Sequence, residues 1–485
     1  MALIPANRRR DAVIRQPRLR ELVPTTGEPP ALREPSRLSA SPYMLLLGFV
    51  LLILAGGLLL ALPISSNSGE FSPFEVSFFT AVSALTVTGH VVVTSSTYWS
   101  GFGQAVIFFL MLVGGLGFMV VSTFILLLIG HRSTLRERLL TSGLMRDTVG
   151  VEQFQGLRGI ARRVILMVFV LYGLGTLAIL SQVQGLDGMG FAKSLWHSLF
   201  LSVSSFNNAG FNILPELPQG SSLARFATNP ILLMLTAALM VLGGLGWTLI
   251  VDIYRNRRFA RFSLDTKLVV VTSLSLWTLG AGVLLLAEFS NPNTIGGLGW
   301  FDKTVGAIFQ SVSGRTAGFS TMDFGQVQDV TKTTYAGLMF IGGAAGSVAG
   351  GIKVVTFAVI VAAVVSSLRQ RSRAEAFGRE IAQPQIYRAL TVAILGLAFI
   401  AVSIPVLTIT DSEVPFLDLL FDTVSALGTT GASTGIVPDL SLAGKILFMI
   451  SMFVGRLGPV TLALVLAPGE EASVYRFARE RVKIG

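Results

Sequence analysis

The sequence predicts an all-α polytopic membrane protein with four tandem repeats, each consisting of a full span, a pore half-helix and a second full span. The first indication is composition: the 485 residues are 52% hydrophobic and only 13% charged, with a mean hydropathy of +0.70. A water-soluble domain carries about 25% charged residues, so most of this surface must face lipid. Eight apolar stretches that can each cross about 30 Å of hydrocarbon are the second indication. The third is a glycine-bearing motif that recurs four times.

The apolar stretches come in pairs, and the pairs set the predicted boundaries. The eight spans lie near residues 43–63, 104–129, 163–181, 230–252, 267–287, 336–367, 388–409 and 443–466. The predicted units are an N-terminal arm (1–42), repeats 1 to 4 (43–131, 163–253, 267–368 and 388–468) and a C-terminal tail (469–485). Internal repetition at a period of about 110 residues predicts that the four units are arranged pseudo-fourfold around one axis.

The arm is polar and contains eight arginines, with no apolar run before Tyr43. A secretory signal has an apolar segment directly after a short basic stretch, and the arm lacks that order. We therefore predict a retained cytoplasmic arm whose charge fixes the topology. Contact of the arm with anionic lipid or with a regulatory partner is the alternative.

Basic residues predict the orientation of the spans. The arm, the tail and the three segments that join the repeats hold 29 of the 37 lysines and arginines, whereas the opposite loops hold five. The positive-inside rule then places both termini in the cytoplasm of a cell-membrane protein. The glycine-bearing inserts must be re-entrant, because a full span there would reverse the charge of every later loop. The net charge of +10 thus reflects topology and not nucleic-acid binding.

Residue types exclude several functions. The chain has no cysteine, and its three histidines (His90, His131 and His197) are scattered, so disulfides, thiolate sites and a histidine-rich metal centre are not expected. The spans contain no paired carboxylates, Ser/Lys dyad or histidine ligands, so the chain is not expected to be an enzyme. A scaffold protein is compatible with this chemistry, but it gives no reason for the recurring glycines.

Four polar tetrads, which we name the glycine loops, each close on a glycine that follows a Val-Ser pair. They are Thr86, Val87, Thr88 and Gly89; Asn207, Asn208, Ala209 and Gly210; Arg315, Thr316, Ala317 and Gly318; and Gly428, Thr429, Thr430 and Gly431. Irregular backbone at membrane depth occurs only where protein or a water-filled cavity surrounds it. Glycine permits the positive φ that turns carbonyl groups inward, and rings of carbonyls replace the hydration shell of a cation. The pattern predicts an ion selectivity filter; loops that only pack, with no ion pathway, are the alternative.

A second glycine pattern recurs in the middle of each following span, at residues 114–117, 243–246, 342–346 and 455–458. We name these the mid-span glycine segments. A single glycine pair in a membrane helix usually means close helix packing. Four copies in register after four matching loops indicate a shared layer below the loops.

The third mid-span segment continues into a glycine-rich break, for which we predict a gating role. Its candidate residues are Gly342, Gly343, Gly346, Ser347, Gly350 and Gly351. Each helix-interior glycine costs about 1 kcal/mol relative to alanine, so this segment should leave the helical conformation. A passive kink is the alternative to a gate. Lys353 either snorkels to the surface or anchors the break.

Arg456 is the second gate candidate. It lies about 21 Å along the last span from Leu442 at 1.5 Å per residue, and a charge at such depth usually lines a pathway. The alternative is an arginine that is only satisfied by carbonyls of a broken helix. Two further residues stand out: His90, either a ring at the outer mouth or a pH-sensitive block, and Asp422, which can hydrogen-bond behind the loops.

These motifs resemble the Trk/Ktr/HKT superfamily of potassium transporters over residues 43–485. Eight spans and the short ending Arg479–Gly485 make the chain more similar to the KtrB type of membrane subunit than to the longer TrkH type. The resemblance implies K⁺ uptake through a channel-like pore, with all four filter glycines favouring K⁺; a Na⁺-permeable or mixed Na⁺/K⁺ transporter is the alternative. It also implies a homodimer on a cytoplasmic KtrA/TrkA-like regulatory ring that binds ATP/ADP or NAD. The cytoplasmic segments of this chain are too short to bind nucleotide themselves.

Overall fold

The structure is a computed structural model that describes residues 42–117, 119, 149–215 and 222–458. The predicted tail and residues 1–41 of the predicted arm lie outside the described residues. The helices are α1 (Pro42–Ala61), α2 (Phe74–Thr86), α3 (Ser95–Tyr98), α4 (Gly101–Gly117), α5 (Val149–Val183), α6 (Phe191–Asn207), α7 (Pro230–Leu245), α8 (Trp247–Asn256), α9 (Leu264–Glu288), α10 (Trp300–Thr316), α11 (Asp329–Met339), α12 (Val354–Leu368), α13 (Gln383–Thr410), α14 (Phe416–Gly428) and α15 (Leu442–Leu457). A short hairpin pairs β1 (Glu375–Ala376) with β2 (Arg379–Glu380).

Local sequence signals set several helix starts. The side chains of Asn229, Ser263 and Ser441 cap α7, α9 and α15 by accepting a hydrogen bond from an amide of the first turn. Proline at the first turn of α7 and α13 removes an amide that would have no helical partner. The hairpin turns through Phe377 and Gly378, which both have positive φ.

The long helices are apolar and lie at the periphery. Within the described residues, Arg162–Val183, Leu264–Glu288 and Gln383–Thr410 are long and apolar enough to cross a membrane, and α7 with α8 makes a fourth if this bent pair is one span. Only 22% of the apolar window of α13 is buried. Leucine, isoleucine and valine side chains cover the exposed faces, which a membrane protein turns toward lipid. The predicted spans 104–129 and 443–466 continue into residues that the structure does not describe.

Four short helices, α2, α6, α10 and α14, form the interior. They have 13 or 17 residues, about 20–26 Å at 1.5 Å per residue, which is less than a bilayer core requires. Each packs against the long helix before it, and α10, α14 and α2 also contact α7, α11 and α15. The contact of α15 with α2 brings the end of the described chain back to its beginning.

The predicted span 230–252 is not one straight helix. α7 and α8 meet at an angle of 96°. Gly246 lies at the junction with a φ of 77°, a conformation that glycine adopts without steric cost. A Cβ atom there would lie 2.9 Å from the carbonyl oxygen of Gly346, in the glycine-rich break. The bend therefore depends on a neighbour about 100 residues away.

The interruption predicted in the third repeat is present. α11 ends at Met339 and α12 begins at Val354, so residues 340–353 are not helical. Gly346 and Gly351 have positive φ within it, and a bridge between Ile341 and Ile352 closes its base. The glycine content accounts for the break, because each glycine weakens a helix interior.

Glu288, the last residue of α9, accepts hydrogen bonds from residues at the start of α11 and from the segment that follows α9. One carboxylate oxygen accepts from the Gln328 amide at 2.9 Å and the Thr331 hydroxyl at 2.6 Å, and the other from Asn291 at 2.7 Å and Thr294 at 3.0 Å. The side chain is fully buried.

We expect Glu288→Ala to lower the free energy of unfolding by about 2–4 kcal/mol, because it leaves several buried donors without an acceptor. Glu288→Gln keeps the shape and should cost less. The thermal unfolding midpoint in detergent measures both. Glu413→Gln, which removes an exposed carboxylate, is the control; equal midpoints for Glu288→Ala and the control would contradict the expectation.

Candidate functional site

The four glycine loops meet in a closed ring. A Cβ atom at each loop glycine would lie less than 3.0 Å from the carbonyl oxygen of the residue before the next glycine. The pairs, in cyclic order, are Gly89 with Ala209, Gly210 with Ala317, Gly318 with Thr430, and Gly431 with Thr88. All four glycines have positive φ, between 70° and 93°. Glycine is thus required at each position for two reasons. It adopts the positive φ without steric cost, and it has no Cβ atom to overlap the neighbouring carbonyl.

A serine ties each loop to the short helix that precedes it. The serine of each Val-Ser pair accepts, through its backbone carbonyl, a hydrogen bond of 2.8–3.0 Å from a loop amide. The pairs are Thr88 to Ser83, Ala209 to Ser204, Gly318 to Ser313, and Thr430 to Ser425. The Ser83 hydroxyl also accepts from the Gly89 amide at 3.1 Å. The repeated Val-Ser pair therefore fixes the depth at which each loop leaves its helix.

In the third repeat, the spacing from the serine of the Val-Ser pair to the loop glycine is one residue shorter than in the others. In the other loops a residue with φ between 48° and 57° follows the short helix: Val87, Asn208 and Thr429. In the third loop Arg315 and Thr316 remain in α10, and Ala317 has a φ of −128°. This accounts for the shorter spacing from serine to glycine in that repeat.

The side chains of Asn207 and Arg315 are directed toward neighbouring helices, and that of Thr430 contacts the backbone of the third loop. Asn207 accepts from the Tyr172 hydroxyl at 2.8 Å and donates to the Met111 carbonyl at 3.2 Å. The Arg315 guanidinium lies 5.2 Å from the Trp277 ring centroid, toward α9. The Thr430 hydroxyl donates to the Arg315 carbonyl at 3.2 Å. These contacts hold the loops from behind and leave backbone groups at the ring.

A cavity of about 330 Å³ adjoins the ring on one side and is lined by all four loop glycines. Asp323 is the only carboxylate among its described lining residues. His90 lines it as well, but the imidazole is only 1% exposed and packs edge-on against Phe448, with 5.7 Å between ring centroids. His90 is therefore part of the wall and does not extend across the cavity.

On the other side of the ring, the mid-span glycine segments press against the ends of the short helices. A Cβ atom at Gly114, Gly243 or Gly455 would overlap the carbonyl oxygen of Leu85, Phe206 or Leu427, respectively. Each of these carbonyls lies four residues before a loop glycine. The third repeat differs, because its Gly314 packs against the Tyr335 ring.

The glycine-rich break occupies the same layer. The Ala344 and Val348 amides donate to the carbonyls of Gly244 and Gly243, at 2.9 and 3.2 Å, which the bend after α7 leaves available. A Cβ atom at Gly350 would overlap the Thr429 hydroxyl. The break thus lies directly beneath the fourth glycine loop.

Arg456 joins the break to the first repeat. Its guanidinium donates to the Val348 carbonyl, in the break, and to the Gly114 carbonyl at 2.7 Å. The side chain is 1% exposed. Lys353 donates to the Ala349 carbonyl at 2.6 Å, so it binds the break.

Sequence reasoning brought out the loops, the break, Lys353 and Arg456, and the structure brings them together within two adjacent layers. Gln310 was missed: its amide group reaches the Phe319 carbonyl at 3.4 Å and accepts from the Thr321 amide at 3.3 Å, just past the third loop. Gln310 lies three residues before Ser313, just as Asp422 lies three residues before Ser425, and this shared position is the signal that could have identified it.

The site is a ring of backbone carbonyls that lies between a cavity and the layer filled by the glycine-rich break. Such an arrangement can select and gate an ion, but it offers no nucleophile or acid–base pair.

Comparisons with known proteins show which family the chain resembles. The family model described as TrkH, a cation transport protein, matches residues 54–474. The Ktr system potassium uptake protein B of Bacillus subtilis is 37% identical over 434 residues, which are 89% of this chain and 94% of that protein. The potassium/sodium uptake protein NtpJ of Enterococcus hirae is 34% identical over 454 residues, which are 92% of this chain and 97% of that protein.

The solved structure of the potassium transporter TrkH from Vibrio parahaemolyticus shares the fold, with a TM-score of 0.68 at 20% identity, and covers 89% of this chain and 86% of that one. The resemblance drawn from the motifs is therefore confirmed, and so is the expectation that the chain is a transporter and not an enzyme. The chain belongs to the TrkH family of cation transport proteins.

Proposed function

We propose that the chain is the channel-like pore subunit of a Ktr/Trk-type system for K⁺ uptake, with the glycine loops as its selectivity filter. The observation that carries the proposal is the ring in which each loop carbonyl abuts the glycine of the next loop. Four inward backbone carbonyls at one level can replace the water around a dehydrated cation. The relatives named as potassium uptake proteins support K⁺ as that cation.

In this proposal the chain crosses the cell membrane eight times, in the four pseudo-fourfold repeats 43–131, 163–253, 267–368 and 388–468, with both termini in the cytoplasm. The cavity beside the ring is then the outer vestibule. The short helices α2, α6, α10 and α14 end at the ring, and the partial negative charge at a helix C-terminus favours a cation there.

A transporter that also passes Na⁺ is the second candidate. The relative named for potassium and sodium uptake favours it. Glycine at all four loop positions favours K⁺, because a side chain at any of them would displace the neighbouring carbonyl. Uptake measured with K⁺ against Na⁺ separates the two candidates.

We expect Gly210→Asp or Gly318→Asp to abolish K⁺ uptake, since each new Cβ would overlap the carbonyl of Ala317 or Thr430. Gly89→Ser should keep some flux but reduce K⁺ over Na⁺ preference about tenfold or more, because the Ala209 carbonyl must move. Ion uptake into cells that lack their own K⁺ transport measures these effects.

Gly101→Ser is the matched control for these variants. Gly101 starts α4, and a Cβ atom there has no neighbour within 4 Å, so uptake should remain at the wild-type level. If Gly210→Asp and Gly318→Asp, present at normal amounts, transported K⁺ with unchanged preference, the filter proposal would be wrong.

The break and Arg456 form the gate in this proposal. The break fills the layer below the loops, where residues 344–350 would obstruct a cation that leaves the filter. Gly342, Gly343, Gly350 and Gly351 let the backbone pack against neighbouring carbonyls and hydroxyls, and Gly346 adopts a positive φ. Ser347, Lys353 and Arg456 bind the break through its carbonyl oxygens. Opening requires the break to withdraw. A cytoplasmic partner can shift the equilibrium between the closed and open states by binding the open state more tightly.

That partner is a KtrA/TrkA-like ring that binds ATP/ADP or NAD, and the membrane subunit is a homodimer in lipid. On the resemblance to KtrB-type subunits, the ending Arg479–Gly485 packs at the dimer contact in this proposal; it lies outside the described residues. Nucleotide acts only through the ring in this scheme.

We expect deletion of residues 344–350 to raise K⁺ flux several-fold and to weaken its dependence on the partner, because the layer below the filter is emptied. Arg456→Ala should act in the same direction. Arg456→Lys keeps the positive charge, but a lysine cannot reach both the Val348 and Gly114 carbonyls. If Arg456 acts by anchoring the break, this variant should therefore behave like Arg456→Ala. Flux through liposomes with and without the regulatory ring is the measurement.

Lys193→Ala removes an exposed positive charge from the first turn of α6 and should leave both flux and regulation unchanged. Wild-type flux and wild-type regulation in the deletion and in Arg456→Ala, at normal expression, would be incompatible with the proposed gate.

A further inference from the structure

Asp422 lies in the middle of α14 and is fully buried behind the cavity wall. One carboxylate oxygen accepts from the Ser433 hydroxyl at 2.6 Å, and the other from the Thr434 amide at 2.9 Å and the Thr434 hydroxyl at 3.2 Å. Ser433 and Thr434 line the same cavity as Gly431. One layer of residues therefore separates this carboxylate from the entrance to the glycine ring.

The neighbouring acid on the same helix face is neutralised in a different way. Asp418, one turn earlier, forms an ion pair with Lys332 at 2.7 Å. Throughout the described part of the chain, no lysine or arginine forms an ion pair with Asp422, whose carboxylate accepts hydrogen bonds from two hydroxyls and one amide. A buried carboxylate that stays ionised normally requires a compensating positive charge.

The equivalent position in the third repeat has the same contact without the charge. Gln310 and Asp422 each lie three residues before the serine of their Val-Ser pair. Gln310 accepts from the amide of Thr321, and Asp422 from the amide of Thr434, and each of these threonines is the third residue after a loop glycine. The two side chains brace matching segments, but only one of them can carry a negative charge.

We propose that Asp422 is a positioning residue that supplies the fixed negative charge balancing the cation at the outer end of the glycine ring, an inference that rests on the proposed K⁺ function. The counter-charge that the protein does not supply is the permeating cation itself. The hydrogen bonds to Ser433 and Thr434 hold the carboxylate at a set distance behind the fourth loop, so its charge raises the affinity for a cation without direct coordination.

The test is the K⁺ dependence of uptake in cells that lack their own K⁺ transport. Asp422→Asn keeps the size of the side chain and an oxygen for the Thr434 amide, but removes the charge. We expect the KM for K⁺ to rise about tenfold, or about 1.4 kcal/mol, with maximal uptake nearly unchanged. Glu413→Gln, an exposed outer carboxylate, should leave the KM unchanged.

Moving the charge separates electrostatics from structure. The double variant Asp422→Asn/Gln310→Glu places the carboxylate at the equivalent brace of the third repeat, and Gln310→Glu keeps an acceptor for the Thr321 amide. We expect the double variant to recover most of the lost K⁺ affinity. A purely structural role for Asp422 predicts no recovery.

Each possible result of these measurements either supports or contradicts the inference about Asp422. If Asp422→Asn transports with the wild-type KM, or the double variant shows no recovery, the inference is wrong. If Asp422→Asn does not assemble, the single variant Gln310→Glu is decisive: a lower KM than the wild type supports the inference and an unchanged KM overturns it. Failure of the proposed function is distinguishable, because the wild-type protein itself would then show no saturable K⁺ uptake.

Discussion

The structure depends on one steric constraint, the absence of a side chain where each glycine loop meets the next. Four segments that are more than 100 residues apart in the chain converge so closely that a single Cβ atom at any of the four glycines would overlap a neighbouring carbonyl. Such a ring cannot be assembled by one loop adjusting to another. Each loop must arrive at the same depth, and the four serine carbonyls at the ends of the short helices fix that depth.

A second layer of glycines packs below the loops, and this layer is irregular in the third repeat, where the break lies. In three repeats a mid-span glycine lets the inner helix touch the carbonyl four residues before the loop glycine. In the third repeat Gly342 instead packs against Gly350 of the same segment, and Gly314 of the short helix packs against the ring of Tyr335. The chain there is not helical, and two of its backbone amides donate instead to the carbonyls at the bend after α7.

Features that depend on local backbone conformation could be predicted from the sequence, whereas those that depend on distant neighbours could not. Repetition of Val-Ser and glycine identified the loops, and glycine density predicted the break at 342–351, which the structure shows at 340–353. The bend at Gly246 escaped prediction because the same Gly-Gly-Leu-Gly sequence at residues 114–117 lies within the helical α4. The outward direction of Asn207 and Arg315 also depends on partners in other helices, Tyr172 and Trp277.

The position of Arg456 links the steric layer to the energetics of the proposed gate. Its guanidinium binds carbonyls of two different repeats, and withdrawal of the break removes one of them. A hydrogen bond to a charged group contributes about 1.5–3 kcal/mol, and coupling between a regulatory site and a distant site is typically 1–3 kcal/mol. In the proposed gate, the closed arrangement is therefore stable on its own, yet by an amount that the binding of one cytoplasmic partner can offset. A loop fastened by several ion pairs would be too costly to release, and one fastened by glycine packing alone would not stay closed.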